Sequence, residues 1–229
     1  MGFFYFILNL IFPNYCIFCH KKGEYLCSEC ISKISKYNPN KLNNPPDTSV
    51  WIFSIFNYKD PIIRTAIKYL KYKRKKSLAT NLAPLLYQKI IEESSKPKNH
   101  NFFINPLLVP IPISKKRYRE RGFNQSIIIC KELLRINKKQ TFKKIENFSM
   151  EKRVLFKKIE TKHQTRTKNK QERLKNISGT FAIKNPEKIK NRNIILIDDV
   201  TTTGATLFEA KKVLESSGAS NVKAFTVAH

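Results

Sequence analysis

Glycine is scarce in this chain of 229 residues, and its scarcity excludes two kinds of nucleotide site. Only six glycines occur, and no two of them lie two residues apart. The G-x-G-x-x-G fingerprint of dinucleotide-binding folds is therefore impossible, because its first two glycines require that spacing. The G-x-x-x-x-G-K-[ST] motif of P-loop nucleoside triphosphatases is missing as well.

Acidic residues are also few. The chain has 17 Asp and Glu against 44 Lys and Arg, which gives a formal net charge of +27. Such a charge favours a polyanionic partner, such as nucleic acid, an anionic membrane or a phosphorylated substrate. A coding bias toward Lys, Asn and Ile would explain part of the excess, so the charge alone does not identify the partner.

The chain lacks a long apolar run. Residues 3–12 are almost entirely apolar, but no basic residue precedes them and no small-residue cleavage site follows. About ten residues are too few to span a bilayer, which takes about 20 in a helix. We therefore expect a cytoplasmic protein without integral membrane association. We interpret residues 3–12 either as a short helix that packs on its own domain or as a peripheral membrane contact.

The distribution of Pro and Asn predicts two domains. A cysteine-containing module occupies residues 1–47 and ends in the linker-like stretch NPNKLNNPPD at residues 38–47. A larger domain follows at residues 48–229. A hydrophobic content of 41% is enough for that domain to bury a core.

Hydrophobic spacing predicts the elements of the larger domain. The first half reads as a strand at 51–58, a helix after the Asp60-Pro61 start signal, a helix at 78–93, a strand at 107–113 and a helix at 124–136. Much of the cation-rich stretch 138–175 is predicted to be a long loop. Residues 194–197 form an apolar strand, followed by a loop at 198–204, a helix at 205–217 and a strand at 222–227. This order predicts a parallel crossover, and hence an α/β fold.

Four cysteines carry the spacing of a metal site. The pattern C-x2-C-x7-C-x2-C is formed by Cys16, Cys19, Cys27 and Cys30. Four thiolates suit tetrahedral Zn²⁺ in a structural role, and metal binding would stabilise a module too small for its own core. Disulfides, or a site in which His20 replaces a cysteine, are the alternatives. Cys130 lies on the apolar side of a predicted helix and is interpreted as a buried small hydrophobe.

Residues 194–206, IILIDDVTTTGAT, join a buried strand to two carboxylates, a hydroxyl-rich loop and the start of a helix. Backbone N–H groups at a helix N-terminus bind phosphate, and Gly204 permits close approach to them. Asp198 and Asp199 can accept hydrogen bonds from a vicinal diol. The segment therefore predicts a sugar-phosphate site at the carboxyl end of a strand. A strand that merely ends in two acids before a Thr-capped helix is the alternative.

The same segment resembles the phosphoribosyl pyrophosphate (PRPP) motif of type I phosphoribosyltransferases. Residues 109–126 (VPIPISKKRYRERGFNQS) and 163–181 (HQTRTKNKQERLKNISGTF) resemble two internal signatures of the ComF family, named after competence protein F. Four zinc-type cysteines near the N-terminus are also typical of that family. The resemblance covers nearly the whole chain. It implies a type I phosphoribosyltransferase-like parallel sheet flanked by helices, with a small N-terminal zinc-ribbon module.

The resemblance also implies roles for individual residues. Asp198 and Asp199 would hold the ribose diol in the catalytic centre. The 5'-phosphate would be cradled by Thr202, Thr203, Gly204, Ala205 and Thr206. The loop 111–115 would face the pyrophosphate, with positive charge from Lys115, Lys116, Arg117, Arg119 and Arg121. The second signature, with Gln164, Thr165 and Arg166, would form a lid over the reacting centre. Mg²⁺ would bind mainly to oxygens of PRPP itself.

Two departures from related patterns bear on the reaction. Thr202 stands where some nucleobase-salvage relatives carry a carboxylate that assists proton transfer, so the phosphoribosyl acceptor stays open. Residues 143–152 also make the chain longer there than is usual in the family.

Two functions follow as hypotheses. The first is an enzyme that transfers a phosphoribosyl group from PRPP to an unidentified acceptor, with a role in DNA uptake. The second is a non-enzymatic adaptor that binds single-stranded DNA and a DNA-translocating helicase. Cations alternate with aromatic residues at 69–76 (YLKYKRKK) and recur at 115–121, a pattern that suits phosphate contact and base stacking.

Overall fold

The computed structural model describes residues 13–38, 51–73, 75–142, 145–158 and 179–229. These ranges contain seven strands, namely β1 Ile52–Phe56, β2 Leu107–Pro110, β3 Ser149–Met150, β4 Leu155–Lys157, β5 Phe181–Ile183, β6 Asn193–Val200 and β7 Asn221–Ala228. They also contain six α-helices, namely α1 Ser28–Ser32, α2 Pro61–Tyr72, α3 Leu78–Ser94, α4 Lys115–Arg121, α5 Gln125–Lys139 and α6 Ala205–Ser216. Short 3-10 helices lie at Pro97–Phe103 and Pro186–Lys188.

Five strands form one parallel sheet in the order β1-β7-β6-β2-β3. The central strand β6 pairs on both sides, since Ile195 lies beside Leu108 of β2 and beside Lys223 of β7. Its apolar run 194–197 is completely buried, as expected for a strand with both faces covered. The predicted parallel α/β sheet flanked by helices is therefore confirmed, as is the β6-α6-β7 crossover.

The helices divide between the two faces of the sheet. Helices α2, α3 and α5 pack with Ile195, Ile197 and Phe225 in one hydrophobic core. Helix α6 and the antiparallel β4-β5 pair pack with Ile194 and Leu196 in the other. The alternating orientation of strand side chains directs neighbouring residues of β6 into different cores.

Helix α2 begins as the sequence predicts. The Asp60 side chain accepts a hydrogen bond from the Ile62 backbone N–H, and Pro61 occupies the first turn. Both features stabilise a helix N-terminus. The Asp side chain accepts a hydrogen bond from a backbone N–H that would otherwise be unpaired, and Pro has no backbone N–H to leave unpaired. The buried positions of this helix are Ile62, Ile63, Ala66, Ile67 and Leu70, the residues whose spacing predicts it.

The cysteine module packs directly on the larger domain. Its residues Cys16, Leu26 and Cys30 belong to the same hydrophobic core as α2 and α3. Asp60 at the start of α2 accepts hydrogen bonds from the backbone and side chain of Ser35, at 2.8 and 3.0 Å. The ring of Tyr37 stacks on His229 with centroids 4.5 Å apart. The predicted domain boundary at residue 47 lies outside the described residues.

Two sequence predictions need correction. Residues 145–158 were expected to belong to a long loop, but they contain β3, which pairs with β2, and β4, which pairs with β5. These strands are two and three residues long, too short to show an alternating pattern. Asp198 and Asp199 were expected in a loop, but β6 continues to Val200, because its pairing with β7 extends to Ala228.

Among the described residues, no helix is long and apolar enough to cross a membrane. The apolar segment 3–12 lies outside them.

Candidate functional site

A loop at the carboxyl end of β6 leads into helix α6 and forms a small concave site. Gly204 immediately precedes the helix and has a φ of 76°, a left-handed conformation that side chains other than glycine rarely adopt. The Thr203 hydroxyl accepts a 3.4 Å hydrogen bond from the Ala205 backbone N–H. The remaining N–H groups of the first turn have no intrahelical acceptor, and their positive end attracts anions.

The site brings most of the sequence-predicted residues together. A cavity of about 70 Å³ is lined by Asp198, Val200, Thr201, Thr202, Thr203, Gly204, Ala205, Thr206 and Leu207. Its size suits a phosphate-sized group rather than a whole nucleotide. Arg166, the third predicted catalytic residue, and the proposed lid around it lie outside the described residues.

The two aspartates differ in orientation. Asp198 lines the cavity, and its Oδ1 accepts hydrogen bonds from the Ser126 hydroxyl at 3.0 Å and from the Asp199 backbone N–H at 2.9 Å. Asp199 points inward, with a side chain that is 3% exposed. Its Oδ1 accepts from the Val200 backbone N–H, and its Oδ2 lies 2.8 Å from Nζ of Lys71. Asp198 is therefore the member of the pair that faces the cavity.

Lys71 is a site residue that the sequence analysis missed. It lies in the last turn of α2, and its side chain is only 19% exposed. It follows Ile63 and Ile67 at intervals of four residues, so it continues the buried stripe of the helix. A lysine on an otherwise apolar stripe indicates a buried cation that needs a partner. Nothing in the sequence identified Asp199 as that partner.

Burial and charge together determine the ionisation of this cluster. Burial lowers the pKa of Lys71, but the carboxylates of Asp199 and Asp198 outweigh it, and the net shift is upward. Burial, reinforced by the negative charge of Asp199, raises the pKa of Asp198 from 3.8 to about 7. Near neutral pH the cluster therefore holds a firm ion pair beside a carboxyl group that exchanges its proton easily.

The basic segment after β2 is a helix. Ser114 caps α4, and its hydroxyl accepts a hydrogen bond from the Arg117 backbone N–H. Lys115 and the other cations of this helix are exposed, except Arg121, which is buried. Helix α4 thus has an exposed, positively charged surface and one buried guanidinium group, that of Arg121.

The four predicted zinc ligands converge. Sγ of Cys16 lies 3.7 Å from that of Cys30, and Sγ of Cys19 lies 3.5 Å from that of Cys27. All four sulfur atoms lie within 4.8 Å of one another. Tetrahedral Zn²⁺ with bonds of about 2.3 Å would hold its sulfur ligands about 3.8 Å apart, so this set fits the metal.

The pKa values of two of these thiols also favour a bound cation. Burial raises the pKa of Cys16, but hydrogen bonds from nearby backbone N–H groups outweigh it and lower the pKa to about 6. Burial and the neighbouring sulfurs raise the pKa of Cys30 to about 12. Four adjacent thiolates need a bound cation to coexist. Cys130 is buried outside this group, as predicted, and His20 is not one of its members.

The chain is similar to a phosphoribosyl transferase domain family and to competence proteins. A family model of the phosphoribosyl transferase domain matches residues 145–229. Competence protein F of Haemophilus influenzae is 27% identical over 227 residues, which cover 96% of this chain and 93% of that protein. Competence protein ComFC of Bacillus subtilis is 38% identical over 130 residues, which cover 53% of this chain and 43% of that protein.

Two further matches extend the comparison. DNA utilization protein YhgH of Escherichia coli is 27% identical over 184 residues, which cover 80% of this chain and 73% of that protein. A hypoxanthine phosphoribosyltransferase from Staphylococcus aureus overlaps with a TM-score of 0.38 at 13% identity, over 65% of this chain and 61% of that one. That structural overlap is too small to add to the fold assignment.

A parallel sheet flanked by helices, with a region that matches the phosphoribosyl transferase domain, gives the chain a fold like that of type I phosphoribosyltransferases. The four-cysteine group is joined to this domain at its N-terminal side. The similarity of the chain to competence protein F and to ComFC confirms the resemblance to the ComF family.

We expect purified protein to contain about one zinc per chain, because reduced cysteines in this arrangement bind Zn²⁺ tightly. Cys16→Ser and Cys30→Ser should lower both the zinc content and the melting temperature, since both residues are in the main core. Elemental analysis and thermal unfolding measure the two effects, and Cys130→Ser is the control that should keep its zinc. Folded wild-type protein with less than about 0.2 zinc per chain would contradict the site.

Asp198 should make stability depend on pH. Its pKa is raised on folding from 3.8 to about 7, so the folded protein keeps a proton that the unfolded chain loses, and stability falls as pH rises through this window. Asp198→Asn retains an acceptor oxygen without the charge. The variant should be more stable than wild type at pH 8, by up to about 4 kcal/mol, and the difference should shrink toward pH 4.

Asp60→Asn is the matched control for this experiment. Burial raises the pKa of Asp60, but hydrogen bonds from Ser35 and the start of α2 lower it overall. Its ionised form therefore stabilises the fold above the unfolded pKa, and this contribution is lost on acidification. Asp60→Asn should be less stable than wild type at pH 8. Chemical denaturation at pH 4 and pH 8 measures the stability of both variants. If their stability changed with pH in the same direction relative to wild type, the raised pKa of Asp198 would be refuted.

Proposed function

We propose that the protein binds PRPP with Mg²⁺ and transfers its phosphoribosyl group to an acceptor. The observation that carries the proposal is the cavity between Asp198 and the N-terminus of α6. It combines an acceptor for sugar hydroxyls with donors for a phosphate at the end of one strand. A ribose 5-phosphate carries both matching groups, sugar hydroxyls and a phosphate.

Each part of the ligand has a counterpart in this cavity. The 5'-phosphate would bind the loop from Thr202 to Thr206, where helix N–H groups and threonine hydroxyls can donate to it. The ribose diol would donate to Asp198. Asp199 would act mainly through its ion pair with Lys71, because both of its oxygens already have partners.

The reaction would depend on positioning. An acceptor nucleophile displaces pyrophosphate from the anomeric carbon of the ribose, and positive charge develops on the sugar as the bond breaks. Asp198 and Asp199 place negative charge near that sugar, which stabilises the developing cation. Bound Mg²⁺ would neutralise charge on the leaving pyrophosphate. Thr202 carries no titratable group, so the described carboxyl group available for proton exchange at neutral pH is Asp198.

A second function needs a test of its own, because some relatives are named for competence or DNA utilization. We propose that the exposed cations of α4 bind single-stranded DNA. The other basic stretch, at 69–76, is a weaker candidate. Lys71 pairs with Asp199, Lys75 lies 4.5 Å from the ring centroid of Tyr25, and Lys76 lies over Phe123.

Gly204→Val should lower the affinity for PRPP by at least about tenfold. A branched side chain at a left-handed position strains the loop and obstructs the backbone donors of the phosphate. Calorimetric titration with PRPP and Mg²⁺ measures the effect.

Gly218→Val supplies the matched control, since Gly218 also has a positive φ and lies just beyond the other end of α6. It should bear a similar strain and keep its affinity. If Gly204→Val, still folded, bound PRPP like wild type, the loop would not be the phosphate site.

Neutralising Lys115, Arg117 and Arg119 to Gln should weaken binding of single-stranded DNA and reduce its salt dependence. The slope of log affinity against log salt should fall by roughly 0.7 for each phosphate that the variant no longer neutralises. Fluorescence anisotropy at several salt concentrations measures both quantities. The control neutralises Lys138, Lys139 and Lys212, which are equally exposed. Equal losses of affinity in the two triple variants would show diffuse attraction to a polycation and would remove α4 as a DNA site.

A further inference from the structure

Ser126 connects helix α5 to Asp198. It is the second residue of the helix and is completely buried, and its hydroxyl donates a hydrogen bond to Oδ1 of Asp198 at 3.0 Å. The same oxygen accepts the Asp199 backbone N–H at 2.9 Å. Within the described part of the chain, no donor contacts the other oxygen, Oδ2. Ser126 therefore helps to fix the rotation of a carboxyl group that has one oxygen left for a ligand.

Asn124 holds Ser126 in place. It caps α5, and its Oδ1 accepts a hydrogen bond from the Ser126 backbone N–H at 2.9 Å. Its Nδ2 donates to the carbonyl of Ile111 at 2.9 Å, and the Ile111 backbone N–H donates to the carbonyl of Ile197 on β6. Since Ile111 directly follows β2, the start of α5 is tied to the end of that strand.

These hydrogen bonds close into a ring. Its members, in order, are Ile197, Ile111, Asn124, Ser126 and Asp198, which follows Ile197 in the chain. The ring fixes the end of β2, the start of α5 and the end of β6 relative to one another. Each bond supports the geometry of the next, so the Ser126 hydroxyl is held in one place.

Groups of both signs lie around the Asp198 carboxyl. Asp199 is its neighbour on β6, and Lys71 of α2 pairs with Asp199. Burial raises the pKa of the Cys130 thiol on α5 well above its usual range, so that neighbour stays neutral. Burial and Asp199 raise the pKa of Asp198, whereas Lys71 and the hydrogen bonds from the Asp199 N–H and Ser126 lower it. Ser126 thus favours the ionised carboxylate, which is purely a hydrogen-bond acceptor.

We propose that Ser126 is a positioning residue that makes the site selective for ribose over 2-deoxyribose phosphates. The inference rests on the proposed function, in which the diol of a ribose 5-phosphate donates to Asp198. A sugar that lacks one hydroxyl leaves an acceptor position of this half-buried carboxylate unpaired, which is costly. A carboxylate free to rotate would turn that position to water, whereas one held by Ser126 does not.

A purely structural role is the competing explanation. In it, the Ser126 hydroxyl only satisfies its own need for a partner and ties α5 to β6. Loss of the hydroxyl would then change the affinity for both sugars by the same factor, or would change neither. The ratio of the two affinities separates the explanations, because an effect common to both ligands cancels.

Calorimetric titration with ribose 5-phosphate and with 2-deoxyribose 5-phosphate measures this ratio. The proteins are wild type, Ser126→Ala, Ser126→Thr and Ser54→Ala. The last is the matched control, because Ser54 is also buried and its hydroxyl is hydrogen-bonded to that of Thr226 at 2.6 Å. Its strand, β1, is separated from β6 by β7. A melting temperature for each variant shows that the protein is folded.

We expect wild-type protein to prefer ribose 5-phosphate by at least about tenfold. In Ser126→Ala the preference should fall below about threefold, because its carboxylate has lost one of the two bonds that fix Oδ1. Ser126→Thr, which keeps the hydroxyl, and Ser54→Ala should keep the preference. The midpoint of the rise in ribose 5-phosphate affinity with pH should also move upward in Ser126→Ala, since the lost bond favours the ionised form.

An unchanged preference in Ser126→Ala, or an equal fall in Ser54→Ala, would overturn the inference. A Ser126→Thr variant as unselective as Ser126→Ala would do the same, because the loss would then follow packing and not the hydroxyl. Wild-type protein that bound both sugars equally well would also overturn it, while leaving the proposed function intact. Failure of the proposed function is distinguishable, since wild-type protein would then bind neither PRPP nor ribose 5-phosphate, and the inference would fall with it.

Discussion

The ion pair between Lys71 and Asp199 is the interaction on which the arrangement of the site depends. Two adjacent carboxylates at the end of a buried strand repel each other, and burial adds to the cost of their charges. Lys71 offsets that cost with a positive charge 2.8 Å from Asp199. Since Lys71 lies in the last turn of α2, the pair ties that end of the helix to the carboxyl end of β6, beside the loop that leads into α6.

The same pair explains why the two aspartates have separate roles. Asp199 has one oxygen on Lys71 and the other on the Val200 backbone N–H, so both of its oxygens are held in position. Asp198 is half-buried, and its pKa, raised mainly by burial to about 7, leaves its carboxyl partly protonated near neutral pH. A buried carboxyl with a raised pKa lowers the free energy of unfolding at neutral pH, a cost that functional sites often carry.

Local sequence predicted those features that depend on neighbouring residues. The start signal and spacing of α2, the β6-loop-α6 segment and the four cysteines all fall within short windows, and the structure contains each of them. The strands β3 and β4, of two and three residues, were missed because they are too short to repeat an alternating pattern. Lys71 and the burial of Arg121 were missed because each depends on packing between segments far apart in the chain, which no local pattern records.

A metal bound by the cysteine module would influence the site through the packing of α2. Cys16 and Cys30 share a hydrophobic core with Ile63 and Ile67 of α2, and Lys71 continues the same stripe of that helix. A structural zinc contributes on the order of 10 kcal/mol to the folding of its module. Loss of the metal would therefore loosen the surface against which α2 packs. The helix would then lose the precision with which it presents Lys71 to Asp199, so the module can support the site from a distance without contacting a ligand.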